Sequence, residues 1–595
     1  MHRVAFSAGR SVNAASKISS SRTFASVSSA TRNHKVVVVG GGSAGLAISH
    51  QLLRTGKFTQ DDIAIVDPAA YHDYQPGWTL VGGGLKTKEE LRKPMSSLVD
   101  SKLKLYNQGV NTFAPEENLV TLSNGDKVGY ENLVVAPGIG IKYDNIKGLP
   151  EALADQSTPV STIYGYETCD KVFRNIKDFR GGEALFTLPT GVVKCAGAPQ
   201  KAMWLALDHW KKAGLYDPSN VANSPIKISF ATALPVMFGV PKYSATLEEL
   251  RKQRGVEAMF QHDLVEVNGD KAIFTRLDGS EEKVSKRFDL LHVVPKMGPH
   301  AFIKDSPLAN AAGFVDVEDA TLRHKKFANV WSAGDASSLP TAKTAAAVTS
   351  QAPVLVQNML QSIEGKELNA AYDGYTSCPL LTEYGKVLLA EFKYGGQPKE
   401  TFAKFGVDQA VPRRAFYHLK KDFFPWVYYN NMVKGTWGGP KGWRPGTEYE
   451  NLSSRLDVTR GTNEAQVGDL SMRLNVEKAM ESQDQNSLDS EHGISLLHEK
   501  ILQLCSVAAN SDVQENNHFA LTQPSQTPNH APDVHSRPRH FTPHSMASLF
   551  RSTSTATPSQ CPRNSTRTSP AVLEQRTTLN SMMKPPQTPN KRRRR

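Results

Sequence analysis

Two cysteines stand where sulfur could react: Cys195, in Thr190-Gly-Val-Val-Lys-Cys195-Ala-Gly-Ala-Pro-Gln200, and Cys378, in Asp373-Gly-Tyr-Thr-Ser-Cys378-Pro-Leu. Each lies among small residues and prolines that leave a thiol room to react. Lys194 adjoins Cys195, and a neighbouring positive charge lowers a thiol pKa toward the nucleophilic thiolate. Taken alone, both read more readily as small buried hydrophobes, so the frame around them has to decide. The five cysteines are odd in number and widely scattered, which does not describe a secreted disulfide framework. There is no C-x-x-C pair for a structural zinc site, and no metal is expected. Cys169, on an expected helix with no special surroundings, reads as a core residue.

The frame begins with Lys35-Val-Val-Val-Val-Gly40-Gly-Gly42-Ser-Ala-Gly45, a buried parallel strand running into a glycine turn that opens a helix. Gly40 permits the tight turn, Gly42 lets a pyrophosphate approach the backbone, and Gly45 allows close helix–strand packing. Asp62-Ile-Ala-Ile-Val-Asp67 follows as a second strand, and Asp67 at its end suits a ribose hydroxyl. Residues 71–100 open aromatic and glycine-rich, too irregular for a helix, and suit a segment lying over a cofactor. A strand over 102–106 runs toward Val110. A hairpin meander with the turn signal Asn124-Gly125 spans 111–130, and another buried strand, Leu133 to Ala136, ends in Pro137-Gly138.

A second α/β unit should hold an amphipathic helix over 162–178, a strand over 183–188 and a helix over 198–214. It lacks a second G-x-G-x-x-G fingerprint, and the strand from Ile226 does not end in an acid suited to a ribose. The unit therefore has the pattern of a nicotinamide domain that has lost its nucleotide and gained Cys195. Farther on, Phe327-Ala-Asn-Val-Trp-Ser-Ala-Gly334-Asp335 delivers an aspartate to a turn, and an alanine-rich helix starts at Lys343. In flavoproteins with two dinucleotide domains such an aspartate holds the ribityl hydroxyls. The helix N-terminus faces the flavin edge where negative charge gathers on reduction.

The expected fold class is α/β, two Rossmann-like dinucleotide-binding domains of the FAD/NAD(P)-binding type with a C-terminal membrane-interface segment and a disordered tail. The expected divisions are a mitochondrial transit peptide (1–33), the first domain in two parts (34–150 and 316–375), the second domain (151–315), a quinone and membrane-interface region (376–446) and a low-complexity tail (447–595). The transit-peptide reading rests on Arg3, Arg10, Lys17, Arg22 and Arg32 among Ser and Ala, before the first acid at Asp61. The net charge of +12 favours an anionic counterpart, although part of it sits in the two ends. No run of about 18 apolar residues exists, so a spanning helix is not expected. Phe423, Phe424, Trp426, Tyr428 and Trp437, flanked by Arg413, Arg414, Lys420 and Lys421, suit a peripheral or monotopic membrane contact. The tail ends in Lys591-Arg-Arg-Arg-Arg, a short basic end that leaves nucleic-acid binding unexpected.

Residues 35–446 resemble the mitochondrial type of sulfide:quinone oxidoreductase. The resemblance rests on Val-Lys-Cys195-Ala-Gly-Ala-Pro-Gln-Lys, Gly-Tyr-Thr-Ser-Cys378-Pro-Leu with Leu-Ala-Glu-Phe392 downstream, Leu-Pro-Thr-Ala-Lys343-Thr-Ala-Ala-Ala and Gly435-Thr-Trp437-Gly-Gly-Pro. It implies FAD, hydrogen sulfide as reductant, ubiquinone as electron acceptor, and the matrix side of the mitochondrial inner membrane. Its redox pair maps onto Cys195 and Cys378, and its flavin contacts onto Ser43, Ala44, Asp67, Gln75, Val110, Asp335, Lys343, Thr344, Ala345 and Ala346. It further implies that the cysteines, bridged through sulfur, take hydrosulfide as a persulfide and release sulfane sulfur to glutathione or sulfite. Two other readings compete: a type II NADH:quinone dehydrogenase, disfavoured by the missing second fingerprint, and a flavin-containing interaction or nucleic-acid-binding protein acting through the basic tail.

Overall fold

The computed structural model describes residues 32–437. The expected transit peptide, apart from its last two residues, and the expected tail lie outside these residues. The strand Arg32–Val39 is central in the first sheet because Val36 to Val39 are buried on both faces. It pairs in parallel with Ile63–Val66 on one side and Lys127–Val135 on the other. Lys104–Tyr106 extends the sheet beyond Ile63–Val66, and Val330–Ser332 joins alongside Leu133 to Val135. Leu119–Leu122 and Val110–Ala114 continue it as an antiparallel meander. The meander's last strand and the buried strand expected from Leu133 are one nine-residue element. Its first half pairs with the hairpin and its second half with Val330–Ser332.

The second sheet is wholly parallel, in the order Val160–Ser161, Leu290–His292, Gly182–Leu188, Ile226–Thr232, Glu257–Phe260. The helix Ala198–Lys212 follows Gly182–Leu188 and packs against it, burying Ala202, Met203, Trp204 and Ala206. The helix expected from residue 162 begins only at Cys169. Gly165, at φ +126°, breaks the chain direction first, and Gly165 O accepts from Cys169 N at the new start. The alanine-rich helix runs Ala345–Ile363 with Thr344 as its cap, so Lys343 precedes it. Within 71–100 there is a single α-helical turn, Trp78–Val81, among short 3-10 turns.

A hairpin of Thr376–Glu383 and Lys386–Lys393 pairs Cys378 with Ala390. One of its faces joins the core around the helix Ala198–Lys212 through Leu380, Leu388 and Ala390. The other face packs under the last helical segment through Leu381, Val387, Phe416 and Leu419. That segment is continuous from Arg414 to Met432 but is interrupted by two π-helical stretches, Leu419–Phe423 and Tyr428–Met432. Among the described residues no helix is long and apolar enough to cross a membrane.

Candidate active site

Both cysteines hang on the short link that precedes the helix Ala345–Ile363. Cys195 N donates to Lys343 O at 2.9 Å, and Thr376 Oγ1 lies 2.8 Å from Thr344 Oγ1. Residues 183 apart in sequence thereby bring Cys195 Sγ to 3.2 Å from Cys378 Sγ. Cys195 has φ +55°, a left-handed backbone that L-residues adopt at a cost of roughly 1–2 kcal/mol. Several bonds hold it there: Ala198 N donates to Cys195 O at 2.8 Å, and buried Tyr164 donates to Lys194 O at 3.0 Å. Gly197 must lack a side chain, because a Cβ there would sit 2.6 Å from Cys378 Sγ. The loop occupies the place, after a parallel strand and before a helix, where a nucleotide domain carries its phosphate turn.

Two buried lysines face this sulfur pair. Lys201 Nζ lies 3.4 Å from Cys195 Sγ. Lys420 Nζ donates to Pro76 O at 2.9 Å and acts on both sulfurs electrostatically. A hydrogen bond from Cys378 holds the Cys195 thiol well below its ordinary range, against burial and with help from Lys201 and Lys420. The same bond, together with burial, pushes the Cys378 thiol up. The hydrogen bond and the lysine charges thus favour the thiolate on Cys195 over one on Cys378. Burial pushes Lys420 down to about 7, and Lys201 pushes in the same direction. Burial also works against the Lys201 ammonium, but the two sulfurs outweigh it, so this lysine stays charged.

The dinucleotide turn lies at the carboxyl ends of the first sheet's parallel strands. A Cβ on Gly40 would meet Ala136 O at 2.5 Å and one on Gly45 would meet Gly40 O at 1.8 Å, whereas Gly42 has open space. Two glycines thus serve close packing and the third an approaching ligand. The helix Ser43–Arg54, which starts with Ser43, Ala44 and Gly45, has no side-chain cap. Asp67 accepts from Gly41 N at 2.6 Å and from Ala69 N at 2.7 Å. Asp335 has no hydrogen-bond partner among the described residues. Burial raises its pKa while Lys194 and Lys343 oppose that. Lys194 Nζ donates to Gln75 Oε1 at 3.2 Å. Thr344 Oγ1 accepts from Ala347 N at 3.1 Å, leaving the N–H groups of Ala345 and Ala346 for another acceptor. An unpartnered carboxylate, an open glycine and two helix starts are a donor and acceptor set that fits a dinucleotide.

Other expected contacts sit differently. Lys343 turns its ammonium back to Ser337 O at 2.7 Å and Leu339 O, and its burial pushes it down to about 8. Val110 opens the strand paired with Leu122, at the end of the first sheet. Of the aromatics read as interfacial, Trp426 is exposed, and Phe424 and Trp437 are half-buried. Phe423 and Tyr428 point inward: Phe423 joins the core beneath the hairpin, and Tyr428 reaches Ser43. Lys201 and Lys420 were not singled out as site residues from sequence. The signal for Lys201 was a lysine among Ala202, Met203, Trp204 and Leu205 on a helix buried nearly all round. Lys420 read as one of the cations flanking a membrane-interface segment, whereas it is buried.

A pyridine nucleotide-disulphide oxidoreductase family model matches residues 34–178. The chain is 47% identical over 438 residues, 70% of this chain and 94% of the other, to the mitochondrial sulfide:quinone oxidoreductase of Schizosaccharomyces pombe. It is 40% identical over 413 residues, 69% of this chain and 89% of the other, to the protein of the same name from Mus musculus. Among solved structures it resembles the sulfide:quinone oxidoreductase of Aquifex aeolicus, with a TM-score of 0.56 and 17% identity over 69% of this chain and 92% of that one. That last likeness shows the fold.

Proposed function

This chain belongs to the mitochondrial sulfide:quinone oxidoreductase family, and from that premise we propose that Cys195 and Cys378 oxidise sulfide beside a bound FAD whose electrons go on to ubiquinone. The activity is sulfide:quinone oxidoreduction and the cofactor is a flavin; FAD, the sulfur acceptor and the membrane side are the further parts of this reading. The observation that carries the assignment of the pair is the 3.2 Å Sγ···Sγ separation next to Lys201. It exceeds a disulfide bond of about 2.05 Å and is short enough for one interposed sulfur with two such bonds to span.

Hydrosulfide attacks one cysteine sulfur of the bridge and one S–S bond breaks, so the attacked cysteine carries a persulfide, Cys–S–SH, and the other keeps the bridging sulfur as a persulfide anion, Cys–S–S⁻. Lys201 offsets negative charge on these sulfurs in a desolvated site. The outer sulfur of the first persulfide passes to glutathione or sulfite and leaves a thiolate, and closure of that thiolate onto the other persulfide remakes the bridge and releases two electrons. Overall, one hydrogen sulfide loses two electrons and two protons and one quinone gains both. FAD, held by the turn Gly40–Gly45, Asp67, Gln75, Asp335 and the start of the helix Ala345–Ile363, supplies the two-electron acceptor between them. The acid-free N-terminal residues support import into mitochondria, and exposed Trp426 with half-buried Phe424 supports contact with the matrix face of the inner membrane.

Anaerobic mixing with sulfide should bleach the flavin spectrum, and added decylubiquinone should restore it. Bleaching by NADH instead would favour the NADH dehydrogenase reading. Asp335→Ala should weaken flavin retention, because hydrogen bonds to a charged group contribute roughly 1.5–3 kcal/mol and the Asp335 carboxylate has no hydrogen-bond partner among the described residues. Flavin fluorescence released on dilution measures this, and retention equal to wild type would remove Asp335 from the site.

A further inference from the structure

The hydroxyl of Tyr428 lies 2.6 Å from Ser43 Oγ and 2.7 Å from His72 Nε2, while His72 Nδ1 lies 3.0 Å from Gly41 O. Tyr428 and His72 are both buried. The direction of the chain follows from its end. Gly41 O only accepts, so Nδ1 carries the imidazole proton, and burial keeps the ring neutral. Nε2 therefore accepts from Tyr428, whose oxygen accepts in turn from Ser43. The chain closes on the two residues that flank Gly42, the glycine with open space for a ligand.

Tyr428 opens the second π-helical stretch, and such stretches recur at functional sites. The residues after it are strapped across the first helix and its surroundings. Tyr429 donates to Leu91 O at 2.6 Å, Lys434 Nζ to Leu98 O at 3.1 Å, and Arg54 Nε to Lys434 O at 2.6 Å. Gly435 sits so close to the helix Ser43–Arg54 that a Cβ would lie 2.6 Å from Gln51 N.

We infer that Tyr428 is a positioning residue for the dinucleotide: through Ser43 and His72 it fixes the phosphate turn, so that seating of the strap 428–435 and binding of the cofactor are one coupled event. The inference rests on the flavin reading of that turn. Ser43 commits its hydroxyl proton to Tyr428, which leaves the backbone N–H groups of the helix start to meet the phosphate. By linkage, whatever the strap contributes to cofactor affinity the cofactor returns to the strap.

The test compares flavin dissociation constants, by flavin fluorescence, for wild type, Tyr428→Phe, Ser43→Ala, Ser43→Thr and the double variant Tyr428→Phe/Ser43→Ala. Hydrogen exchange of amides 428–435 is followed with and without FAD. Each single loss of the hydrogen bond should weaken binding about three- to tenfold. The double variant should be no worse than the poorer single one, and Ser43→Thr, which keeps the hydroxyl, should bind nearly as wild type. FAD should slow exchange across 428–435 in wild type and do so less in Tyr428→Phe. A merely structural bond would lower the melting temperature of the apoprotein and leave the effect of FAD on exchange unchanged. Wild-type affinity in Tyr428→Phe, additive losses in the double variant, or exchange indifferent to FAD would each overturn the inference. If Tyr428→Phe does not fold, Ser43→Ala and Ser43→Thr decide by the same affinity criterion. A wild-type protein that takes up no flavin would overturn the reading of the turn, and this inference with it.

Discussion

Cys195→Ser and Cys378→Ser should each lower sulfide-dependent quinone reduction by about a thousandfold or more in protein that keeps its flavin, and the double variant should be scarcely worse. Groups that act as one unit lose their effect together in this way. Serine nearly conserves volume in a site where Gly197 already leaves no space beside Cys378 Sγ. Its hydroxyl is a far poorer nucleophile at neutral pH and does not carry a persulfide. The dinucleotide turn belongs to the first sheet and is not touched by either change. Cys169→Ser guards against a general effect of removing thiols. Burial pushes the Cys169 thiol up to about 12, and its sulfur is turned to Tyr166 O at 3.6 Å, so turnover should stay near wild type. The measurement is decylubiquinone reduction on flavin-replete protein. Substantial turnover in either single variant, or its loss in Cys169→Ser, would mean that the reacting pair is another one.

The parts of this molecule that were legible in sequence are those set by local pattern. Four valines followed by Gly40, Gly42 and Gly45 state a strand, a turn and a helix because burial, backbone freedom and close approach each demand those residue types at those places. Gly334-Asp335 and Cys195 were legible for the same reason: each sits just beyond a strand and before a helix. Contacts between distant segments were not legible. Nothing near Cys195 in sequence indicates that Lys343 O and Thr344 hold both cysteine carriers, or that Lys420 comes within electrostatic reach of the pair. The aromatics after Phe423 were misleading for a geometric reason. A π turn takes about one more residue than an α turn, so two such stretches between Leu419 and Met432 shift the face that a regular helical spacing would assign. Tyr428 turns in toward Ser43, while Trp426, two residues before it, remains exposed. Gly165 acts similarly on the helix that begins at Cys169: a single left-handed glycine outweighs the amphipathic pattern before it.

Lys201→Met should raise the pH at which Cys195 becomes reactive by about 1–3 pH units, because an opposite charge within a few ångströms shifts a titrating group by that much. Methionine fills much the same volume on the buried helix Ala198–Lys212, so the thiol pair should stay in place while the charge 3.4 Å from Cys195 Sγ is removed. Below the new midpoint, turnover should fall in proportion to the thiolate fraction, and Lys201→Arg, which keeps the charge, should recover part of it. Lys420 supplies the internal control. Burial and the Lys201 charge both push its ammonium down, to about 7. It is therefore charged, and supports the Cys195 thiolate, below about pH 7, and loses that support as the pH rises through this value. Lys420→Met should depress Cys195 reactivity most below pH 7 and least well above it. In Lys201→Met the repulsion on Lys420 is gone, so Lys420 holds its proton to higher pH and offsets part of the loss. The double variant should then lose more than Lys201→Met alone, most clearly near pH 7 to 8. The pH dependence of iodoacetamide alkylation at Cys195 in the reduced enzyme, resolved by mass spectrometry, measures all four variants on one scale. An unchanged profile in both Lys201→Met and the double variant would leave the hydrogen bond from Cys378 as the main cause of the low thiol pKa, and the buried lysines would then have no part in the sulfur chemistry.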